Sequence, residues 1–337
     1  MKNQVYFIIL FTAILFSSCR QNPYVVNVND IEIDFSIKRI EKDLFEGDPS
    51  GLTARVENLK ETDPDFMRIL GYVINIGDPE ETNWNNSMLL FVTDKQNVEV
   101  YKSVQDVFGG FSGLENDLED AWKHYRYYFP DKAVPSVYTC LSGFNNSIIV
   151  GPDVIGISLD RYLGEDSRFY PMLGIYNYLR RNMVPEKIVP DCMYGWAAAS
   201  WEMPDNGAAD NRLLNHILHQ GRLLYFTRLM MPELPDSLLF GFTGQQMQFC
   251  DNNEGQMWEY LIEHDLLFST DQMVIKKLTD NAPFTTYFTS ESPGRAANWI
   301  GFRIIESYMK RNPDKSLEDL MALNDLSRIL EFSAYSP

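Results

Sequence analysis

The residues predict a helix-rich α+β fold in which a small antiparallel sheet packs against a helical body. Three observations carry that expectation. Tyr24 to Ile40 alternates, with Ile31, Ile33, Phe35 and Ile37 on one side and Glu32, Asp34 and Ser36 on the other, the signature of a half-buried strand. Three short apolar runs follow mid-chain, Pro135 to Leu141, Ser147 to Val150 and Val154 to Leu159. Ser142-Gly-Phe-Asn-Asn146 and Gly151-Pro-Asp153 separate them, and turn residues at those offsets predict an antiparallel meander. After Asp160 the apolar period becomes helical and stays so.

Taken in order, the chain opens with Lys2 and an apolar run from Val5 to Phe16, too short to span a bilayer. The run ends in Phe16-Ser-Ser-Cys19, small residues before a cysteine, which resembles a bacterial lipobox; the plainer reading is an ordinary signal peptide with a chance cysteine. On the lipobox reading Met1–Ser18 is removed and Cys19 carries the lipid, a palmitate-type anchor. Residues 19–30 then form anchor and tether, and residues 31–337 a single globular domain. Arg-Gln-Asn-Pro follows Cys19 without an acidic run, so the body is expected in the periplasm, on either membrane.

Asp63-Pro64 reads as an N-cap and first helical position, opening a helix through Phe66, Ile69, Leu70 and Val73. Ser112-x-x-Glu115 has the form of a capping box before a helix that Pro130 ends. Beyond the strands, helices are expected over residues 185–201, 210–231, 236–249, 253–268, 270–281, 292–311 and 316–323. Asp210 is the expected N-cap of the second, and Ser292-Pro293 opens the sixth. Trp196, Trp201, Trp258 and Trp299 fall among apolar residues at helical spacing and are expected in the core.

The balance of 47 acidic against 29 basic residues gives −18, or −19 once Lys2 leaves with the leader. The charge is spread along the chain, a surface that repels nucleic acid and anionic head groups, so no nucleic-acid partner is expected. Cys140, Cys192 and Cys250 show no metal-type spacing and read as buried free thiols.

One helix poses the chemical question. A strand meander followed by a histidine-bearing helix is the order of zinc peptidases, whose helix supplies His-Glu-x-x-His. Here Asn215-His216-Ile217-Leu218-His219 falls under that motif. Only His219 matches a ligand position; Asn215 replaces the first ligand and His216 the glutamate base. The topology is therefore expected to be zinc-peptidase-like with a degenerate active-site helix, and no cofactor is expected. The alternative is a metal-dependent hydrolase with atypical ligands, His216, His219 and Glu254 (or Glu263), three ligands and an open position being what zinc catalysis needs. Arg295, at a helix start, is a possible anion or partner contact, set against a structural ion pair. A small-ligand binding module is a third reading, one that needs a concave pocket.

Several stretches together resemble one family: Val137-Tyr-Thr139 with Ser142-Gly-Phe-Asn145, Ile155 to Gly164, Pro185 to Asp191, Gly221 to Phe226, Asn253-Glu254, Leu266 to Asp271, Ala282-Pro-Phe284, and Ser292-Pro-Gly-Arg295 with Trp299-Ile-Gly301. As an ordered set they are similar to the gliding-motility lipoprotein GldB family of Bacteroidota. The resemblance implies a lipid-anchored accessory protein of a motility and protein-export assembly that acts through protein–protein contacts. It supplies no catalytic residues, and the expectation is that the chain is not an enzyme.

Overall fold

A computed structural model describes residues 22–204 and 211–337. Cys19 and Asp210 lie outside the described residues. The first described segment, 22–36, is irregular, with turns at 23–24 and 29–30, and touches the body. The Asn22 side-chain amide donates to the Pro232 carbonyl at 2.7 Å, the Tyr24 ring meets Tyr225 edge-on, and Val28 is buried. Within the stretch expected as tether, Asn22, Tyr24 and Val28 thus touch the body, while Pro23, Val25, Asn27, Asn29 and Asp30 are exposed. The alternation expected over Tyr24–Ile40 is real in burial, Ile31, Ile33, Phe35 and Ile37 being half-buried between exposed neighbours. Only Ile37–Arg39 joins the ladder, as β1.

Six helices follow, α1 (Ile40–Phe45), α2 (Leu52–Thr62), α3 (Pro64–Val73), α4 (Trp84–Thr93), α5 (Lys95–Phe108) and α6 (Ser112–Tyr128). Pro64 opens α3 as expected, but Asp63 makes no cap bond. Its carboxylate instead takes the Tyr138 hydroxyl at 3.0 Å and the Thr62 hydroxyl at 2.7 Å, and pairs with Lys38. The expected capping box at α6 is not made: Ser112 is the first residue of the helix and the residue before it, Phe111, offers no side-chain bond.

The sheet corrects the meander. Its strands, β1, β2 (Ser136–Cys140), β3 (Ile148–Gly151) and β4 (Val154–Ser158), lie in the order β1-β2-β4-β3. β1 runs parallel to β2 (Ile37 opposite Val137) and β2 parallel to β4 (Val137 opposite Ile155). Only the β3–β4 hairpin is antiparallel, turning at Asp153 with φ 54°. The sheet is mixed because β2 and β4 are buried on both faces, the environment of parallel strands. Val137, Ile155 and Ile157 join the larger core, while Tyr138, Cys140 and Val154 join a second core under α1–α4. Gly156 leaves room for Phe66, which stacks on Tyr138 with 4.2 Å between ring centroids. Nothing in this arrangement supports the expected zinc-peptidase-like topology.

The remaining body is helical: α7 (Phe169–Met172), α8 (Asn177–Arg180), α9 (Ile188–Ser200), α10 (Leu213–Met230), α11 (Asp236–Phe240), α12 (Gly244–Asn252), α13 (Glu254–Glu263), α14 (Gln272–Thr279), α15 (Ala296–Arg311), α16 (Leu317–Met321) and α17 (Ser327–Ser333). The helix expected over 236–249 breaks at Gly241, which sits at φ 65°. α15 begins later than Ser292: Arg295 precedes it at φ 53°, and the Ala296 amide donates to the Thr285 hydroxyl at 3.0 Å. The cap is thus supplied from another segment.

α10 is the axis of this half, buried along almost its whole length. Its crossing with α15 is backbone against backbone. A Cβ at Gly221 would sit 2.4 Å from the Gly301 carbonyl carbon, and one at Gly301 would sit 1.8 Å from the Ile217 oxygen. Trp196 and Trp299 are buried in the core, with Trp201 and Trp258 packed against it. Cys140, Cys192 and Cys250 are free and buried, as expected.

Candidate functional site

On α10 the two histidines part company. His216 is half-buried, and its Nε2 lies 2.6 Å from Asn211 Oδ1. His219 is buried and accepts at Nδ1 from both Arg222 Nε, at 3.2 Å, and Arg222 Nη2, at 3.1 Å. Accepting there assigns the proton to Nε2. Burial first, then the Arg222 charge, lower the His219 pKa to about 4, so the ring is neutral at neutral pH.

Arg222 is the reason. It is 1% exposed, and its remaining N–H groups go to the carbonyls of Met321 (3.1 Å), Leu323 (3.0 Å) and Glu202 (3.1 Å). Among the described residues no carboxylate is paired with it. Burial lowers its pKa to about 10, which leaves it charged. All five donors are spent on neutral acceptors, tying α10 to α16 and to the end of α9.

Glu254 belongs to another place altogether. It accepts from Arg303 Nε at 3.1 Å and from the Tyr335 hydroxyl at 2.8 Å. The metal reading of His216, His219 and Glu254 is therefore corrected: each has separate partners. Among the described residues no three His, Cys, Asp or Glu side chains form a group that could hold a metal ion. Arg222 covers the Nδ1 side of His219, and Glu254 is held apart from it by Arg303 and Tyr335.

Arg295 lies elsewhere, at a polar cavity of about 200 Å³ between the α8–α9 segment, α10, α11 and the start of α15. Three basic side chains line it, Arg161, Lys187 and Arg295, against one carboxylate, Asp191. Lys187 is buried, and its ammonium pairs with Asp191 Oδ1 at 2.9 Å and donates to the Leu238 carbonyl at 3.0 Å. The other Asp191 oxygen takes the Tyr162 hydroxyl at 3.0 Å. Arg161 donates from Nε to Ser147 Oγ at 3.2 Å and from Nη1 to the Phe144 carbonyl at 3.3 Å. Arg295 donates once, from Nη2 to the Phe240 carbonyl at 2.8 Å, and burial lowers its pKa. The ion pair weighed for Arg295 does not form: among the described residues neither it nor Arg161 has a carboxylate within 4.0 Å. Tyr194, on the same wall, has its hydroxyl on Gln220.

Gly241 is what lets two of these groups share a turn. A Cβ there would lie 2.9 Å from Asn182 Oδ1 and 3.0 Å from Arg295 Nη2. Of the charged groups here only Arg295 was anticipated. Lys187 and Asp191 carry one readable signal, the four-residue spacing of a helical ion pair. Arg161, Asn182 and Tyr194 carry none, because nothing local marks a residue that a distant segment will meet.

A match to the family described as gliding motility protein GldB spans residues 21–337, essentially the whole chain. The chain belongs to this family. Comparison with curated proteins and with solved structures gives no match. Four of the stretches on which the family resemblance rests reach the cavity, through Arg161, Lys187 with Asp191, Leu224, and Arg295. The family is one of gliding-motility lipoproteins, and no helix among the described residues is long and apolar enough to cross a membrane.

Proposed function

We propose that this chain is a lipid-anchored accessory protein of a cell-envelope gliding-motility and protein-secretion assembly, with its body in the periplasm, working through protein–protein contacts and not through catalysis. Family membership is the observation that carries the reading. The lipobox ending in Cys19 supports the anchor. Cys19 stands three residues before Asn22, which is fastened to the body. Three residues span about 10 Å at most, so a lipid on Cys19 keeps this face of the body close to its membrane.

Contacts with partners have a natural surface at the end of α7 and in the segment joining it to α8. Met172 (75% exposed), Leu173 (45%) and Tyr176 (67%) present apolar side chains to solvent within five residues. Apolar residues gathered on an otherwise acidic surface are what a protein partner covers.

Two experiments test the reading. Cys19→Ala should abolish labelling by a palmitate analogue and release the body from the membrane fraction; retention of both would remove the anchor. A photo-crosslinking residue at Met172 or Tyr176 in living cells should give a discrete adduct with an envelope protein, absent when the probe replaces exposed Asp65. Adducts no different from those of the control would remove the contact surface.

A further inference from the structure

We propose that the cavity between α8–α9, α10, α11 and α15 binds a small organic carboxylate, clamped by Arg295 and Arg161. The inference is independent of the motility reading.

Charge is the first argument. The chain has 47 acidic residues against 29 basic, yet this cavity gathers three cations and one acid. The acid is spent: Asp191 is neutralised by Lys187 and takes the Tyr162 hydroxyl as well. Arg161 and Arg295 are left without a carboxylate within 4.0 Å among the described residues. Asp160 feels the Arg161 charge, but its oxygens face the Ser142 and Phe144 amides and it does not line the cavity. A cation drawn partly out of water without a counter-charge is costly, and an anion relieves that cost.

Donors are the second. Among the described residues Arg295 makes one hydrogen bond from its five N–H groups, and Arg161 makes two. A guanidinium fork matches the two oxygens of a carboxylate. Asn182, packed with Arg295 against the Gly241 turn, adds a neutral amide to the wall.

The third argument concerns what the rest of the ligand must be. Leu179, Met183, Leu224 and Leu239 give the same cavity apolar wall. Inorganic phosphate would satisfy the cations but leave that wall uncovered, whereas a carboxylate with a short aliphatic body covers both. At about 200 Å³ the cavity holds a few carbons, not a peptide chain.

The full chain, purified in detergent, would be titrated at neutral pH by calorimetry with acetate, butyrate, hexanoate and succinate, with butyramide and inorganic phosphate as comparisons. Saturable binding of at least one carboxylate in the millimolar range or tighter is expected, with no binding of uncharged butyramide. Arg295→Gln should weaken it about ten-fold or more, the loss of a charge-assisted bidentate contact. Asn182→Asp is the second variant, nearly the same shape, in case the first does not fold: its carboxylate offers Arg295 an internal partner and should also weaken binding about ten-fold. Arg168→Gln, which breaks the surface pair of Arg168 with Glu99, should leave it unchanged. Saturation by no carboxylate, unchanged affinity in Asn182→Asp, or tighter binding of phosphate than of every carboxylate would each overturn the assignment.

Discussion

Arg222 and Arg295 are both guanidiniums drawn into the helical body of an acidic chain, both without a carboxylate partner among the described residues, and they end in opposite conditions. Arg222 spends every N–H on three carbonyls and a neutral imidazole. Arg295 makes one such bond and lines a cavity. Protein carbonyls bring partial negative charge without the cost of burying an ion, so the first arrangement is complete as it stands. The second has donors to spare. Burial and missing ion pairs are common to both; the number of donors left over separates a tie from a site.

If that distinction holds, disturbing the framework beneath Arg222 should cost more stability than any change in the cavity. The largest effect is expected from Gly301→Ala. Its methyl would stand 1.8 Å from the Ile217 carbonyl oxygen, and only separation of α10 from α15 relieves that overlap. Roughly 3 kcal/mol should be lost in chemical unfolding. A loss below about 1 kcal/mol would mean that the crossing is loose and Arg222 sits on a soft frame.

Arg222→Met comes next. The methionine keeps much of the apolar stem but leaves the Met321, Leu323 and Glu202 carbonyls and His219 Nδ1 without their donor. Buried acceptors stranded in this way cost about 1–3 kcal/mol each when water cannot reach them. Partial hydration near the exposed Glu202 reduces the sum, and about 2–3 kcal/mol is expected by the same unfolding measurement.

The two arginines also differ in how legible they were. Arg222 lies in a helix whose apolar period identified it as buried, and nothing in that period says how a buried charge is satisfied. Its acceptors come from Met321 and Leu323, far along the chain. The α15 cap is unreadable for the same reason, since Thr285, and not the local Ser292-Pro293, supplies the hydroxyl. Strand pairing failed differently. The apolar runs and the β3–β4 turn were in plain view, but all five residues of β4 are buried, and a strand without alternation takes its partner from the helices on either face. Long helices were legible where proline, glycine and apolar period agreed, as over Leu213–Met230 and Ile188–Ser200. The cavity was foreshadowed at Arg295 alone, because its other charges come from separate stretches and meet only in the folded chain.

Acid should expose the arrangement of His219 with Arg222. Unfolded, His219 takes a proton near pH 6.5; folded, burial and the neighbouring Arg222 hold that back to about pH 4. Between those values the unfolded state binds more protons, so stability falls as pH drops from 6.5 to 4 and levels off below. His219→Asn removes the titration while offering Arg222 an oxygen in place of Nδ1. Asp160 works in the opposite sense, its pKa raised to about 6 by burial, but it is present in both proteins. The difference between wild type and variant should therefore shift against the wild type by on the order of 2 kcal/mol between pH 6.5 and 4. A pH-independent difference would mean that the fold does not hold His219 neutral.

Arg295→Met should have the smallest effect, and it bears most directly on the comparison. The substitution removes one hydrogen bond to the Phe240 carbonyl and a contact over the Phe242 ring at 6.0 Å. It also removes a positive charge from a cavity whose one carboxylate, Asp191, is already paired with Lys187. The first two changes cost about 1 kcal/mol together, and the third offsets part of that, because a desolvated cation without a partner is itself unfavourable. The expected loss is below about 1 kcal/mol, well under that of Arg222→Met, although both changes delete the same guanidinium from the same helical body. If the two losses came out equal, Arg295 would be holding the fold through its single carbonyl bond, and its spare donors would carry no meaning. A small loss would instead mark the charge as one the fold does not need, retained where only a bound anion can answer it.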